Sequence, residues 1–400
     1  MKILVVNSGS SSVKYKLFEL DGERVLTHGE VERIGERDSR LIHHWHDSGG
    51  QPQTLQRSLS LNGHSEAFAA LADVLRDTGV MQTLSDLSAV GHRVVHGGER
   101  FGEPAPIDAA VIAGIRDMCG QAPLHNPANL AGIEFCLALW PDVPQVAVFD
   151  TAFHRSIPEY ACRYPLPESW YRDQRIRRYG FQGTSHAYVA RRAAEHLGRS
   201  AADINLVTLH LGSGASAAAI RGGRCVDTSM GFTPLEGLMM GTRSGDIDPS
   251  LLAYMARRTG AGLDELEAAL NRESGLKGIC GDNDMREVER RAADGDADAE
   301  LALAMYAYRI RKYIGAYIAV LGGIDALVFT AGIGENSSLV RERVCDNLAH
   351  LGIRIDADRN RSGSEALFEI QADASPIRIL VIATDEELEI ARQTADRLRG

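Results

Sequence analysis

Closely spaced cysteine pairs are missing from this chain. Its six cysteines (Cys119, Cys136, Cys162, Cys225, Cys280, Cys345) are scattered, with no C-x-x-C, which argues against a zinc ribbon or a disulfide framework and predicts reduced thiols in a cytoplasm. Long apolar runs are missing too. None approaches the roughly 20 residues that span a bilayer, so no membrane partner is expected. The chain enters an apolar run at once, with no leader pattern ahead of it, and a secretory signal is not expected. Positive charge is scarce: Lys and Arg number 43 against 54 Asp and Glu, a formal net charge of −11. That balance argues against non-specific nucleic-acid binding and against an anionic membrane surface. An anionic substrate therefore needs a local basic site working against the overall field. Two phosphate signatures are absent as well: there is neither a G-x-x-x-x-G-K-[ST] loop nor a full GxGxxG, so no P-loop and no dinucleotide fingerprint is expected. What remains is an ordinary globular composition, 44% hydrophobic and 24% charged over 400 residues, enough for two or three domains with substantial cores.

The first positive signal is the opening stretch, MKILVVNSGSSSVKYKLFEL. An apolar run (Ile3 to Val6) stops at Asn7, passes a polar turn (Ser8 to Ser12), and resumes as an alternating strand with Val13, Tyr15 and Leu17 on one face. That reads as strand, tight turn, strand. Gly9 allows close backbone approach, and serine hydroxyls and amides can surround an anion, with Lys14 just beyond. The alternative is an ordinary solvated turn. A second copy weighs on this choice. Asn205 to Ile220 (NLVTLHLGSGASAAAI) repeats the pattern, and placing Asn7 on His210 puts Gly9 on Gly212 and Ser10 on Ser213. Two such hairpins, each opening half of the chain, predict a duplicated architecture with a nucleotide in a cleft between two domains.

Along the rest of the chain, Arg24 to Ile34 predicts a third strand. The polar tract from Glu36 to Gly63 holds His43, His44, Trp45 and His46 with no sulfur ligand beside them, and reads as a solvated insert. Ser65 to Thr78 reads as a helix. Leu87 to Val95 reads as a buried strand carrying Arg93, whose permanent charge demands an anionic partner, either a ligand or a structural carboxylate. Asn126 is placed as the N-cap and Pro127 as the first residue of a helix, with His125 just ahead of it as a capping-region residue or an anion donor. The strand Gln145 to Asp150 delivers Asp150 to its carboxyl end, where α/β folds line their crevices. Arg172, Arg175, Arg177 and Arg178 read as a solvated basic face. Gly180 to His186 (GFQGTSH) opens a helix and offers a turn for an anion, although Ser185 and His186 serve equally as helix-start residues. Asp227 to Ser250 holds four glycines (Gly231, Gly237, Gly241, Gly245) without helical periodicity. So long a structured loop points to function. Arg243 is its main exposed charge, with Asp246 and Asp248 as its bland restraint. Helices follow at 248–259, 263–271, 285–293 and 299–321. The strand Asp325 to Thr330 then runs into a glycine turn, Ala331 to Asn336, suited to a ribose or phosphate. Last come a strand, Ile377 to Ala383, and a helix, Thr384 to Arg399, with a Thr384/Glu387 capping box that leaves Glu386 unaccounted for.

Glycine turns, arginines in apolar or glycine-rich settings and carboxylates at element ends are the set that phosphoryl transfer asks for. The motifs NSGSSSVK (Asn7–Lys14), GHRVVHGGE (Gly91–Glu99), PLHNP (Pro123–Pro127), FDTAFH (Phe149–His154), MGFTPLEGLMMGTRSGDIDP (Met230–Pro249) and FTAGIGEN (Phe329–Asn336) together resemble the acetate kinase family over the whole chain. The resemblance implies an α/β fold of two duplicated ribonuclease-H-like (actin-like ATPase) domains, 1–152 with 386–400 and 153–385. It also implies a homodimer, and reversible transfer from ATP to acetate with Mg²⁺ as the metal and Mn²⁺ as its substitute. By the same likeness Asp150, Arg93, Arg243, His125 and the residue at 182 are catalytic. Arg93, Val95, Leu124, Phe181 and Pro234 bind acetate, and Asn7 and Glu386 stand near the metal. Lys14, His210, Leu211, Gly212, Ser213, Gly214, Asp284, Met285, Arg286, Gly332, Ile333, Gly334, Glu335 and Asn336 contact the nucleotide. A propionate- or butyrate-preferring kinase and a nucleotide-binding regulator that has lost the chemistry are the alternative readings. The chain departs from the family pattern twice: Gln182 stands where histidine is expected after Gly180-Phe181, and Ser213 gives HLGSG in place of HLGNG.

Overall fold

The computed structural model describes residues 1–9, 11–47, 49–81, 87–123 and 125–399, so the expectations placed on Ser10 and Leu124 lie outside the described residues. The chain divides into two units, Met1–Phe153 with Asp385–Gly400, and His154–Thr384.

The first unit is built on a sheet of β1 (Lys2–Ser8), β2 (Ser12–Glu19), β3 (Arg24–Glu32), β4 (Ser39–His46), β5 (Pro52–Leu59), β6 (Ala89–Val94), β7 (Ala105–Pro106) and β8 (Gln145–Phe149). The strand order is β5-β4-β3-β2-β1-β6-β8-β7, with β1, β6 and β8 parallel and β1 to β5 antiparallel. The apolar run of β1 follows from burial on both faces. Leu4 and Val6 join Val13, Tyr15, Leu17, Phe68 and Leu71 in one core. On the opposite face lies the helix Glu386–Arg399, which buries Leu388, Ile390, Ala391 and Ala395. That helix needs Gly91 on β6: a Cβ there would stand 2.5 Å from Thr394 Oγ1.

Three expectations are corrected in this unit. The tract after Glu36 is no solvated insert, because β4 and β5 extend the sheet and bury Ser39, Leu41 and His43 at alternate positions. Polar residues on the inward face hid that period-two pattern. His43 Nδ1 lies 2.6 Å from the Tyr15 hydroxyl. Asn126 does not cap its helix: its amide takes the His96 N–H on Oδ1 at 3.1 Å and donates from Nδ2 to the His96 carbonyl at 3.0 Å. Nor is there a Thr384/Glu387 box. The Leu388 N–H goes to Asp385 Oδ1 at 3.0 Å, and Lys16 Nζ donates to Asp385 and Glu387.

This unit also stores a pH response. Burial pushes His43, His92 and His96 down to about 4, so each folds neutral while the unfolded imidazole protonates near 6.5. Below 6.5 the unfolded chain binds more protons, so stability falls as pH drops from 6.5 toward 4, by up to about 1.4 kcal/mol per pH unit for each histidine. Urea unfolding at pH 7 and pH 5 should show a lower midpoint at pH 5. A midpoint that rises on acidification contradicts this.

The second unit holds β9 (Asn205–Leu211), β10 (Ala215–Arg221), β11 (Arg224–Thr228), β12 (Ala326–Thr330), β13 (Leu367–Glu369) and β14 (Arg378–Ile382), in the order β11-β10-β9-β12-β14-β13. Here β9, β12 and β14 are parallel, while β10 and β11 are antiparallel. The central five strands repeat the first unit: third, second, first, then two parallel strands. The predicted duplication is thus a duplication of sheet topology. The two turns differ in one respect. Ser8 pairs with Val13, but Leu211 pairs with Ala215, so the first turn is one residue longer.

Two readings are corrected here. The expected glycine turn after β12 is itself a short helix, Ala331–Asn336, entered through Ala331 at φ +64 and followed by the helix Ser338–Cys345. The arginine run is not a uniform solvated face. Arg178 donates to the carbonyls of Thr228, Ser229 and Met230 and pairs with Glu236 at 2.6 Å, anchoring the start of the long glycine loop. A guanidinium's five donors suit several carbonyls at once, a role that sequence charge alone does not reveal.

Candidate functional site

In the first unit the carboxyl ends of β1, β6 and β8 bring Asn7, Arg93 and Asp150 together. Asp150 is 1% exposed and its carboxylate accepts Arg93 Nε at 3.1 Å and Nη2 at 2.6 Å, a bidentate fork. Arg93 Nη1 donates to Asn7 Oδ1 at 3.1 Å. Burial opposes the Arg93 charge, but Asp150 more than offsets it, with Glu386 and Glu387 adding to the same field, and the pKa is raised. The structural carboxylate read as one partner for Arg93 is thus present, at a strand end of the kind where α/β folds place their ligands. Val95 is buried beyond Arg93, its N–H held by Asn129 Oδ1 at 3.0 Å. His125 precedes the helix Asn126–Leu139, and its carbonyl accepts the Asn129 N–H. Lys14 faces outward on β2, 3.7 Å from Glu30.

Among these groups the oxygen donors Asn7 Oδ1 and the Glu386 carboxylate are hard ligands of the kind that magnesium takes. No cluster of three or more His, Cys, Asp or Glu side chains suited to a metal occurs among the described residues. The donor set therefore fits an ion held mainly by substrate phosphates and water with one or two protein oxygens, rather than one in an all-protein cage.

In the second unit, the helix Gly183–His196 begins at Gln182, which adopts the left-handed conformation (φ 58, ψ 27). The β9–β10 turn comes close to it. A Cβ placed on Gly214 would lie 3.5 Å from both Arg243 Nη1 and Gln182 Nε2, so two donors converge on one small volume beside the turn. Arg243 is half-buried in the glycine loop, and burial lowers its pKa. Its bland restraint is absent: Asp246 takes the Gly237 N–H and the Tyr313 hydroxyl, and Asp248 takes the Ser250 N–H. The contacts found for Arg243 are the Pro234 carbonyl at 3.4 Å and Met240 Sδ at 3.8 Å. Among the described residues it has no carboxylate partner, so its charge is available to a ligand.

Beside this cluster lies a cavity of about 680 Å³, lined by Gly212 and Ser213, by Asp284, Met285 and Arg286, and by Gly332, Ile333 and Asn336. Three segments far apart in sequence and each singled out there thus share one hollow. Asn283, Glu289 and Ser337 complete it. Sequence reading missed these three because nothing in their spacing sets them apart from surface polar residues. Other residues of the same segments support the walls. His210 Nδ1 lies 2.7 Å from Ser185 Oγ. The Glu335 carboxylate accepts the Ala331 and Thr384 N–H groups at 2.8 and 3.0 Å. Buried Arg341 takes the carbonyls of Gly334 and Glu335 at the end of the short helix. Phe181 is buried, and Pro234 presents its carbonyl to Arg243.

The repeated sheet, the converging donors and the adjoining cavity define a phosphotransferase of the duplicated ribonuclease-H-like, actin-like ATPase fold. Residues 2–392 match the model of the acetokinase family, and the chain belongs to that family. An acetate kinase of Syntrophobacter fumaroxidans is 54% identical over 400 residues, covering 100% of this chain and 97% of the relative. Crystal structures of an acetate kinase from Porphyromonas gingivalis and of a propionate kinase from Francisella tularensis are each 42% identical, with TM-scores of 0.92 over 99% of both chains.

Proposed function

We propose that this enzyme transfers the γ-phosphoryl group of ATP to acetate, reversibly, giving acetyl phosphate and ADP. The observation that carries this reading is the acetokinase match over residues 2–392. The geometry adds the physical case. An acetate oxygen bonds to the γ-phosphorus as the bond to the ADP oxygen breaks. The nucleophile is already an anion at neutral pH, so no general base is required. What the reaction needs is charge neutralisation and alignment. Arg243 and Gln182 supply donors to the transferring phosphoryl oxygens, and Arg93, held in one orientation by Asp150, receives the acetate carboxylate. By the family resemblance, Val95, Phe181 and Pro234 are assigned to the methyl group, as is Leu124, which lies outside the described residues, and His125 is a further donor on the phosphoryl side. The cavity beside Gly212 and Ser213 takes the nucleotide; Lys14 is assigned to the nucleotide by the family resemblance alone. Asn7 and Glu386 would hold Mg²⁺, or Mn²⁺ in its place, which would supply charge neutralisation at the phosphates. A hydroxamate assay with acetate, ATP and Mg²⁺ tests the reading. Tight ATP binding without acetyl phosphate above background would favour a regulator that has lost the chemistry.

Propionate is the second substrate to test, given the propionate kinase among the structural relatives. A methyl pocket discriminates one methylene by only about 1–3 kcal/mol. Comparing kcat/KM for acetate, propionate and butyrate decides the preference.

We also propose a cytoplasmic homodimer that binds neither nucleic acid nor membrane. None of its six cysteines is in a disulfide, and no helix among the described residues is long and apolar enough to cross a membrane. The helices Ser250–Thr259 and Leu263–Arg272 bury no residue of their own, yet carry Leu251, Tyr254, Met255 and Leu263, the last 73% exposed. Such an apolar face on a soluble chain is a candidate partner surface. In sedimentation velocity the parent should run as a dimer and a Tyr254→Glu/Leu263→Glu variant as a monomer. A variant that remains dimeric would remove this face from the interface.

A further inference from the structure

We infer that Ser216 and His186 are positioning residues that fix the orientation of the Gln182 amide, so that its NH₂ group rather than its oxygen faces the volume shared with Arg243. This rests on the reading of Gln182 as a donor to the phosphoryl group. An amide's two ends are nearly isosteric, so its hydrogen bonds alone decide which way it points. Here Ser216 Oγ lies 2.5 Å from Gln182 Oε1, and His186 Nε2 lies 2.7 Å from Ser216 Oγ. His186 Nδ1 in turn lies 2.7 Å from Thr208 Oγ1. All of these groups except the glutamine are fully buried.

The chain of four groups has one direction in which every hydrogen finds an acceptor. Thr208 donates to Nδ1, Nε2–H donates to Ser216, and Ser216 donates to the Gln182 oxygen. In the opposite tautomer His186 donates to Thr208, whose own hydrogen then has no other acceptor in the contacts found for it. Ser216 then donates to Nε2, and Gln182 must turn its NH₂ inward to meet the serine oxygen. A buried donor without an acceptor is costly enough to select the first arrangement. Burial, reinforced by His154 and His210, keeps His186 neutral, so the ring retains the one lone pair the chain requires. The consequence is visible at Gly214, where Gln182 Nε2 and Arg243 Nη1 both approach to 3.5 Å of its built Cβ.

The test is a double-mutant cycle in kcat for acetyl phosphate formation. S216A should lower kcat about three- to tenfold, the worth of one net hydrogen bond, with KM for ATP and acetate nearly unchanged. S216T, which keeps the hydroxyl, should restore most of that loss. T208V, which leaves Ser216 in place, removes the donor to His186 Nδ1 and so weakens the preference for this tautomer; it should lower kcat in the same direction by less than S216A, and serves if the serine variant folds poorly. On a Q182A background neither change should lower kcat further. Undiminished kcat in both S216A and T208V overturns the inference, as does the same loss with and without Gln182. If Q182A itself keeps the parental kcat, the donor role of Gln182 fails and takes this inference with it. A Q182A loss with unaffected S216A and T208V leaves that role standing and removes only the relay.

Discussion

Replacing Arg243 by alanine is expected to lower kcat about 10³-fold while leaving the fold at least as stable as the parent. The rate loss follows from the charge state of the site. An arginine aimed at a transferring phosphoryl group is worth about 10³ or more in kcat, because it meets charge that spreads over the equatorial oxygens. Arg243 can do this since no carboxylate among the described residues already claims it, and burial without a partner lowers its pKa. The same fact sets the sign of the stability change. A partly buried, unpaired guanidinium is a burden on the folded state, so removing it should not lower the thermal midpoint. Arg93 offers no such clean experiment, since its loss would leave the Asp150 carboxylate buried and unpaired, and breaking a buried pair costs about 3–5 kcal/mol. Arg243→Lys should recover part of the activity, as it keeps the charge but loses the planar fork. A hydroxamate assay beside thermal denaturation separates the outcomes. Less than a tenfold loss in R243A, or a clear fall in midpoint, counts against the assignment.

The legible parts of this molecule were those where local pattern and tertiary role agree. The two glycine hairpins announced the duplicated sheet because an apolar run, a polar turn and a second strand mark a turn whatever surrounds them. Their near-identical spacing made the repeat visible without a structure. Arg93 and Asp150 stood out for a related reason: a permanent charge inside an apolar strand, and an acid at a strand end, both contradict their local setting. What stayed hidden depends on long-range partners. Strands β4 and β5 were missed because His43 is a polar residue facing inward, satisfied by Tyr15 from a strand 28 residues earlier. Asn126 was misread as a cap because its amide prefers the His96 backbone, 30 residues away. Ser216 carried no signal, being a serine in an alanine-rich strand, and His186 carried only an ambiguous one, since a histidine in a turn that opens a helix serves equally as a helix-start residue. Sequence can show that a polar group must be satisfied; only the fold shows by what.

Placing histidine at position 182 is expected to raise kcat by about 10- to 100-fold, if the added donor is worth about 1–3 kcal/mol. The backbone favours the change. Gln182 holds φ 58, a region where histidine is found several-fold more often than most side chains, so the substitution adds no strain and the thermal midpoint should hold. The hydrogen-bond setting favours it too. With one ring nitrogen accepting the Ser216 proton in place of Oε1, the other is left to donate toward the volume that Gln182 Nε2 now shares with Arg243. Protonated, the ring donates from both nitrogens, so Ser216 must then accept rather than donate, and the imidazolium meets developing phosphoryl charge with a full positive charge, which an amide cannot do. That difference supplies a signature beyond rate. If the cationic ring is responsible, kcat of Q182H should fall as pH rises through the new group's pKa, near 6.5 when unperturbed, on a limb absent from the parent. A faster variant with an unchanged pH profile would locate the gain in donor geometry rather than charge. A rate equal to or below the parent's, from a variant of undiminished stability, would show that glutamine at this position is no handicap to the reaction.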